Sequence, residues 1–486
     1  MSSIIPAPAS RDTHELARGT RVILDASAEF VGAEILAGGS PWRVLRLPGA
    51  SREVAEAWRH GGQVDESSAR FARTLITYGL LHPEYPNVAD LSEVTVVIPH
   101  WNDERGLTTT LRSCRGLSVV VVDDGSDDVG AWRSIADEFG ARTISLEENS
   151  GPGFARNQGA AGVTTDFVLF LDTGLAVADL TSVVGRLLSH CNDPRVAVVA
   201  PRITGGHEDS WRSGFEKRFS PLDLGPASSL VTPQSRVSYV PSAALLVRRS
   251  AIGEGFDTSI RVGEDVDLVW RLHDAGWLIR YDASVTVAHP ARDSWSAWWR
   301  QRHAYGLSAA ALAERHPGRL APAHIDPWSF LSWVALAFGR VRIATASSLV
   351  AQQIIQRQLP ETLSDAPDVA RHLVIRGLWR SAGPTGRSLV RSFGPLLLAA
   401  TLLRYLRRPA LAIFIVGTCV RWRGQSRVVP RDIPLAVADD LAYASGLWRG
   451  AVTRRQWSVV TPQVSKIPVT IPDTIRWLKN VIRSER

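Results

Sequence analysis

Val94-Thr95-Val96-Val97-Ile98-Pro99-His100-Trp101-Asn102-Asp103-Glu104, and after it Leu117-Ser118-Val119-Val120-Val121-Val122-Asp123-Asp124-Gly125-Ser126, decide how this chain reads. Each is a short, β-branched apolar run that stops abruptly in polar residues. A third such run, Phe167 to Leu171, stops in Asp172-Thr173-Gly174. Between and beside them, Glu104 to Arg115, Val129 to Gly140 and Phe154 to Val163 space their apolar residues as helices do. Strands Val94 to Pro99, Leu117 to Val122 and Phe167 to Leu171 alternating with helices predict an α/β fold with a mostly parallel sheet. Open parallel sheets take ligands at the carboxyl ends of their strands, so the residues just past each run are the ones to read for chemistry.

Those residues are rich in carboxylates. At a strand end, Asp123 or Asp124 can accept from a nucleobase N–H or a ribose hydroxyl, and Gly125 allows close backbone approach; the same four residues also make an ordinary helix-capping turn. Asn149-Ser150-Gly151-Pro152-Gly153-Phe154-Ala155-Arg156-Asn157-Gln158-Gly159 is a glycine-rich loop opening a helix, and its N-terminus and Arg156 suit an anionic or nucleotide ligand. It lacks the Gly-Lys-Ser/Thr ending of a phosphate-binding ATPase loop, and no dinucleotide fingerprint follows the first strand. Asp172 is placed where a carboxylate can hold a divalent cation bridging a diphosphate. Glu264, Asp265 and Asp267 open a predicted helix, as catalytic acids or as helix-end charges. His289, after the strand Ser284 to Ala288, is a candidate metal or phosphate ligand or a structural histidine.

Outward from this centre, the 486 residues are too many for one ordinary core. His82-Pro83-Glu84-Tyr85-Pro86 reads as a linker and sets three regions, 1–88, 89–320 and 321–486. Region one predicts strands Gly19 to Leu24 and Trp42 to Leu47 and helices Ser51 to Arg59 and Ser67 to Tyr78. From Ala321 onward there are 23 Lys+Arg against 9 Asp+Glu, so the net charge of +7 hides a basic rear and an acidic front. That region has two apolar stretches, Trp328 to Phe338 and Pro395 to Cys419. Both are interrupted by arginine before reaching the ~20 residues of a spanning helix, which fits helices lying in an anionic bilayer surface, or a soluble helical cap. Cys114, Cys191 and Cys419 offer no disulfide framework, and Met1 to Asp12 has no export-signal pattern; both predict a reducing, cytoplasmic setting.

The ordered set Ile98-Pro99, Asn102, Glu104, Val122-Asp123-Asp124-Gly125-Ser126, Gly153, Ala155-Arg156-Asn157, Gly159, Leu171-Asp172 and Glu264-Asp265 resembles an inverting family-2 glycosyltransferase with the GT-A fold, over roughly residues 93–310. The resemblance implies a nucleotide-sugar donor with Mg2+ or Mn2+. It implies that Pro99, Asn102, Glu104, Asp123, Asp124, Gly153 and Arg156 line the nucleoside side. Asp172 would hold ribose and metal, with His289 compensating for the missing second Asp of the usual Asp-x-Asp. Asp265, beside Glu264, would be the catalytic base, and Arg302, in Arg300-Gln301-Arg302-His303, would close over the diphosphate. Trp295, Trp298 and Trp299 are candidates for stacking on sugar or for packing onto the sheet.

Gly19 to Tyr85 resembles a PqqD-like winged-helix peptide-binding domain. With 9 Arg against 11 Asp+Glu in residues 1–90, nucleic acid is not its expected partner. The whole arrangement is similar to the mycofactocin-system glycosyltransferases. That likeness implies UDP-glucose as donor, a peptide-derived redox cofactor as acceptor, a β-1,4-linked oligoglucose product, and a place at the cytoplasmic face of the cell membrane. The competing expectations are a family-2 transferase for lipid-linked cell-wall polysaccharide, and a non-catalytic scaffold with a degenerate site.

Overall fold

A computed structural model describes residues 16–206, 210–291, 294–422 and 429–464. The chain forms two compact units, one of residues 1–26, 39–42 and 55–292, the other of 27–38, 43–54 and 293–486. The first stretch of chain therefore contributes to both.

The first unit is organised by an eight-stranded sheet: β1 (Val94–His100), β2 (Ser118–Asp123), β3 (Arg142–Ser145), β4 (Phe167–Leu171), β5 (Val196–Gly205), β6 (Ser229–Leu230), β7 (Ala244–Arg248) and β8 (Leu278–His289). Across the sheet the order is β6-β8-β5-β7-β4-β1-β2-β3. β4, β1, β2 and β3 run parallel, as expected, but β7 lies antiparallel between β4 and β5, so the sheet is mixed. The central strands are buried on both faces, which is why their sequences are unbroken apolar runs rather than alternating ones. Their core includes Val96, Ile98, Val121, Leu169 and Leu171 with Leu107 and Leu111 of α1 (Glu104–Ser113).

Two further helices mount the site. α2 (Pro152–Ala161) starts behind Gly151, whose φ of 95° suits glycine, and α3 (Glu264–Asp274) starts behind Gly263 at φ 91°. The register pairs Pro99 with Val122 and His100 with Asp123, and Phe170 of β4 with Val97 of β1. The tips of β1, β2 and β4 thus end level, on one edge.

The segment read as a linker is partly a strand. Leu81–Glu84 pairs antiparallel with Arg21–Leu24, on whose other side lies Gly62–Gln63. Pro83 is tolerated because its strand is an edge of this small sheet, where a missing N–H costs no ladder bond on the outer side. The predicted strand and helices of this stretch form at Arg43–Arg46, Gly49–Ala57 and Ala69–Thr77.

The second unit joins a small antiparallel sheet, Glu29–Val31, Ile35–Gly38 and Arg43–Arg46, to helices α4 (Trp295–Arg315), α5 (Pro327–Ala337), α6 (Val341–Gln358), α7 (Ala366–Ala400), α8 (Arg407–Arg421) and α9 (Asp432–Thr453). Val31, Ile35 and Ala37 share a core with Ile355, Leu359, Val369 and Leu373. α7 and α8 form a hairpin in which Gly386 and Gly417 meet backbone to backbone, a contact that any side chain would block. The stretch Pro395 to Cys419 is thereby split between two helices, and no helix among the described residues is long and apolar enough to cross a membrane.

Candidate active site

The strand-tip edge carries four of the predicted carboxylates, and α3 brings two more. Asp123, fully buried at the end of β2, accepts from the Ser126 N–H with Oδ2 (3.2 Å), while its Oδ1 is buried with no hydrogen-bond partner. His100, beside it in register, is also buried and neither ring nitrogen has a partner; burial holds its pKa below the usual value. Buried polar atoms are seldom left unpaired, so this corner is an unsatisfied acceptor set of the kind a ligand satisfies. Sequence reasoning passed over His100, whose place between Pro99 and Asn102 was the available signal.

Asp124 behaves differently. Its two carboxylate oxygens accept from the Ser150 N–H (2.8 Å) and the Gly151 N–H (2.9 Å), at the start of α2. The glycine-rich loop was expected to offer those amides to an anionic ligand; the protein's own carboxylate takes them. Gly125, φ 72°, is required here, since a Cβ would lie 2.7 Å from the Glu148 carbonyl carbon. Asn102, at φ 46°, braces two loops: its N–H donates to Ser126 Oγ (2.9 Å) and its side-chain amide exchanges hydrogen bonds with Asp127. Pro99 is the penultimate residue of β1, and Glu104 opens α1, whose N-cap is Asp103.

α2 turns inward. Arg156 is 2% exposed, and donates from Nη2 to Asp172 Oδ1 (2.6 Å) and from Nη1 to Glu264 Oε1 (3.0 Å). Its guanidinium, expected to contact the nucleoside, is committed to two carboxylates. Burial opposes its charge, yet Asp172 and Glu264 outweigh this and raise its pKa. Asn157 fixes the same helix by exchanging hydrogen bonds with the backbone of Phe256, both 2.8 Å. Gly153 lets α2 pack on Glu264, whose Cγ would be 3.4 Å from a Cβ there.

Asp265 is half-buried, with Oδ1 accepting from the Val266 N–H (2.8 Å) and Oδ2 from the Ser242 N–H (3.2 Å). Burial raises its pKa against the pull of those donors and of Arg156. Burial, and then the charge of Asp265, push Glu264 up to about 7. Both carboxyls thus hold a proton more tightly than ordinary carboxylates. Asp267 is a structural member of the trio, held by Arg271 Nε at 2.7 Å.

His289 ends β8 close to the Asp172 turn: Ala176 bridges to Ala288, and a Cβ on Gly174 would be 2.9 Å from Pro290 Cγ. Its Nδ1 lies 2.8 Å from the Pro290 carbonyl oxygen and therefore donates to it. Among the described residues no group of three or more His, Cys, Asp or Glu could hold a metal ion. Asp172 and His289, the expected ligands, stand on neighbouring turns and by themselves make no complete cation site.

Arg302 lies in the second unit, 1% exposed, with Nε on Asp439 Oδ1 (3.0 Å) and its guanidinium over the Trp298 ring (5.0 Å). Its guanidinium serves that internal network rather than lying open to a diphosphate. Trp298 is buried, whereas Trp295 and Trp299 are exposed.

The geometry meets known proteins at this point. The family described as glycosyl transferase family 2 matches residues 95–256, and the glycosyl transferase family group 2 matches residues 181–423, half of the chain. The pre-mycofactocin glycosyltransferase of Mycobacterium tuberculosis (strain ATCC 25618 / H37Rv) is 38% identical over 469 residues, spanning 92% of this chain and 96% of that protein. The poly-beta-1,6-N-acetyl-D-glucosamine synthase of Staphylococcus aureus (strain COL) is 23% identical over 47% of this chain and 57% of its own length. Among solved structures, a mannosyltransferase from Pyrobaculum calidifontis in complex with GDP-Man and Mn2+ aligns with a TM-score of 0.37 and 14% identity, covering 70% of this chain and 91% of that one. With a relative matched almost end to end, and the family's acids gathered on one edge of a GT-A sheet, the chain belongs to the family-2 glycosyltransferases of the pre-mycofactocin type.

Proposed function

We propose that the enzyme transfers glucose from UDP-glucose to a hydroxyl of a peptide-derived redox cofactor precursor, with inversion, and repeats the step to build a β-1,4-linked oligoglucose chain. The observation that carries the reading is the gathering of Asp172, Glu264 and Asp265 around the buried Arg156. Asp123 Oδ1, an acceptor without a partner, suits the N3–H of uracil. Asp265 takes the acceptor's hydroxyl proton as that oxygen forms its bond to the anomeric carbon, and the bond from that carbon to the diphosphate oxygen breaks, releasing UDP. Glu264, held by Arg156 beside the base, is raised to about 7 by burial and then by the charge of Asp265. A Mg2+ or Mn2+ ion, held by Asp172 and His289, would supply charge neutralisation for the departing diphosphate.

Residues 19–85 are assigned to gripping the peptide-derived acceptor, in the manner of a PqqD-like domain. An anionic membrane surface, at the cytoplasmic face of the cell membrane, is the second partner. Between Asp368 and Asp432 the sequence has twelve arginines and no carboxylate. At the α7–α8 turn, Leu402 (85% exposed) and Tyr405 (83% exposed) stand beside Arg404, Arg407 and Arg408. Apolar side chains ringed by arginine match the interface of an anionic bilayer. Sedimentation with phosphatidylglycerol vesicles but not phosphatidylcholine vesicles, lost in Leu402→Ser/Tyr405→Ser, is the expected result.

The mass of the product formed from UDP-glucose and other nucleotide sugars tests the transfer itself. A hexose increment on the peptide-derived acceptor is expected. Incorporation only into a lipid-linked glycan points instead to polysaccharide synthesis, and absence of both turnover and nucleotide binding to a scaffold.

A further inference from the structure

We infer that Arg156 is a positioning residue, a strut that ties the donor-side Asp172 to the helix carrying the catalytic base and sets their separation before any substrate arrives. This rests on the proposed transfer reaction and deepens it. Asp172 hangs from the tip of β4 and Glu264 from the first turn of α3, elements joined by 92 residues of intervening chain but by no hydrogen bond between these two side chains themselves. The Arg156 guanidinium fills the gap, at 2.6 Å from one carboxylate and 3.0 Å from the other. Its planar fork reaches two acids at once, which a point charge such as lysine cannot do.

Three features make the strut rigid. Asp124 anchors the loop before α2 through the Ser150 and Gly151 amides, Asn157 locks the helix to Phe256, and the Arg156 guanidinium carbon rests 5.4 Å from the centroid of the Phe256 ring. Arg156 is 2% exposed, and its two terminal nitrogens are each taken by a carboxylate of the protein. The work of this arginine is therefore done on the protein's own acids. It holds Asp172 facing the donor and restrains Glu264, and with it the adjacent Asp265. A shift of about 1 Å in such a group costs on the order of 100-fold in rate.

The test is a comparison of wild type, Arg156→Lys and Arg156→Met in steady-state transfer from UDP-glucose, alongside UDP binding by titration calorimetry. The strut predicts a split: kcat falls about 100-fold in Arg156→Met and about 10-fold in Arg156→Lys, while UDP affinity falls by much less than kcat, because the uridine acceptor Asp123 is untouched although Asp172 loses its partner. Loss of UDP affinity with kcat retained would make Arg156 a ligand contact and overturn the inference. So would wild-type kinetics in Arg156→Lys. Absence of transfer in the wild type defeats the functional reading rather than the strut. The strut is then judged on thermal unfolding of Arg156→Lys, Glu264→Gln and the double variant: non-additive changes in Tm support it, and additive ones overturn it.

Discussion

Among the buried arginine–carboxylate clusters of the described residues, two are built on opposite ratios. In the first unit one arginine, Arg156, serves Asp172 and Glu264, with Asp265 next along the helix. In the second, Arg302, Arg421 and Arg387 share Asp439 and Asp440: Arg421 reaches both, and Arg387 holds Asp440 through two nitrogens. The pKa directions follow the ratio. Burial first, and then acids in excess of cations, raise Glu264 and Asp265. With cations in excess, the burial that would raise Asp439 is outweighed by Arg421, Arg302 and Arg391, and its pKa is lowered. A carboxylate kept short of cations retains an appetite for a proton and can act as a base; one surrounded by them is a fastener.

The largest effect expected from this contrast is on Asp265→Asn, which removes the proton acceptor. Its kcat should fall by at least about 1000-fold with UDP affinity within about 3-fold of wild type, measured by transfer assay and calorimetry. Near-normal turnover would leave the two clusters equivalent. Asp439→Asn should act on folding instead. Arg302 and Arg421 lose a buried counter-charge, and stability drops by about 3 kcal/mol in denaturant unfolding.

A pH series separates the clusters further. Burial raises the pKa of Asp265, so kcat should fall as pH decreases into the range where this base takes up its proton, and level off above. Stability runs the other way for this pair. Glu264 binds its proton more tightly folded than unfolded, so the stabilisation it gives is complete below its ordinary 4.5 and is lost as pH rises through about 7. Asp439, with a depressed pKa, contributes stability that is complete above its ordinary 3.8 and is lost only in stronger acid. A Glu264→Gln variant whose stability keeps the wild-type pH dependence between 4.5 and 7 would remove Glu264 from the argument. The smallest expected effect is at the exposed loop brace: Asn102→Ala should cost about 1 kcal/mol in thermal unfolding, from two lost hydrogen bonds and a left-handed backbone that alanine disfavours.

The acid-rich cluster was largely legible in the sequence, and the other was not. β1, β2 and β4 announce themselves because strands buried on both faces are written as continuous Val, Ile and Leu, and their polar ends fall level once the strands are parallel. The position of Asp265 at the start of a helix was readable for the same local reason. What the residues do with one another was not. Arg156 meets Glu264 across 108 positions and Arg302 meets Asp439 across 137, and nothing in local spacing encodes such partners. β7 gave no directional signal, since Ala244-Leu245-Leu246-Val247 reads alike in either orientation. Residues 27–38 and 43–54 were read with their chain neighbours, yet Val31, Ile35 and Ala37 bury their side chains against helices more than 300 residues away.

The Asp124 carboxylate seated on the Ser150 and Gly151 amides has a practical corollary for inhibitor chemistry. Helix starts are habitual targets for sulfonates and phosphonates, but here such a warhead would have to evict an internal anion already satisfied by both amides. Selective compounds for this enzyme are better grown toward the unpaired Asp123 oxygen, the proposed uracil contact.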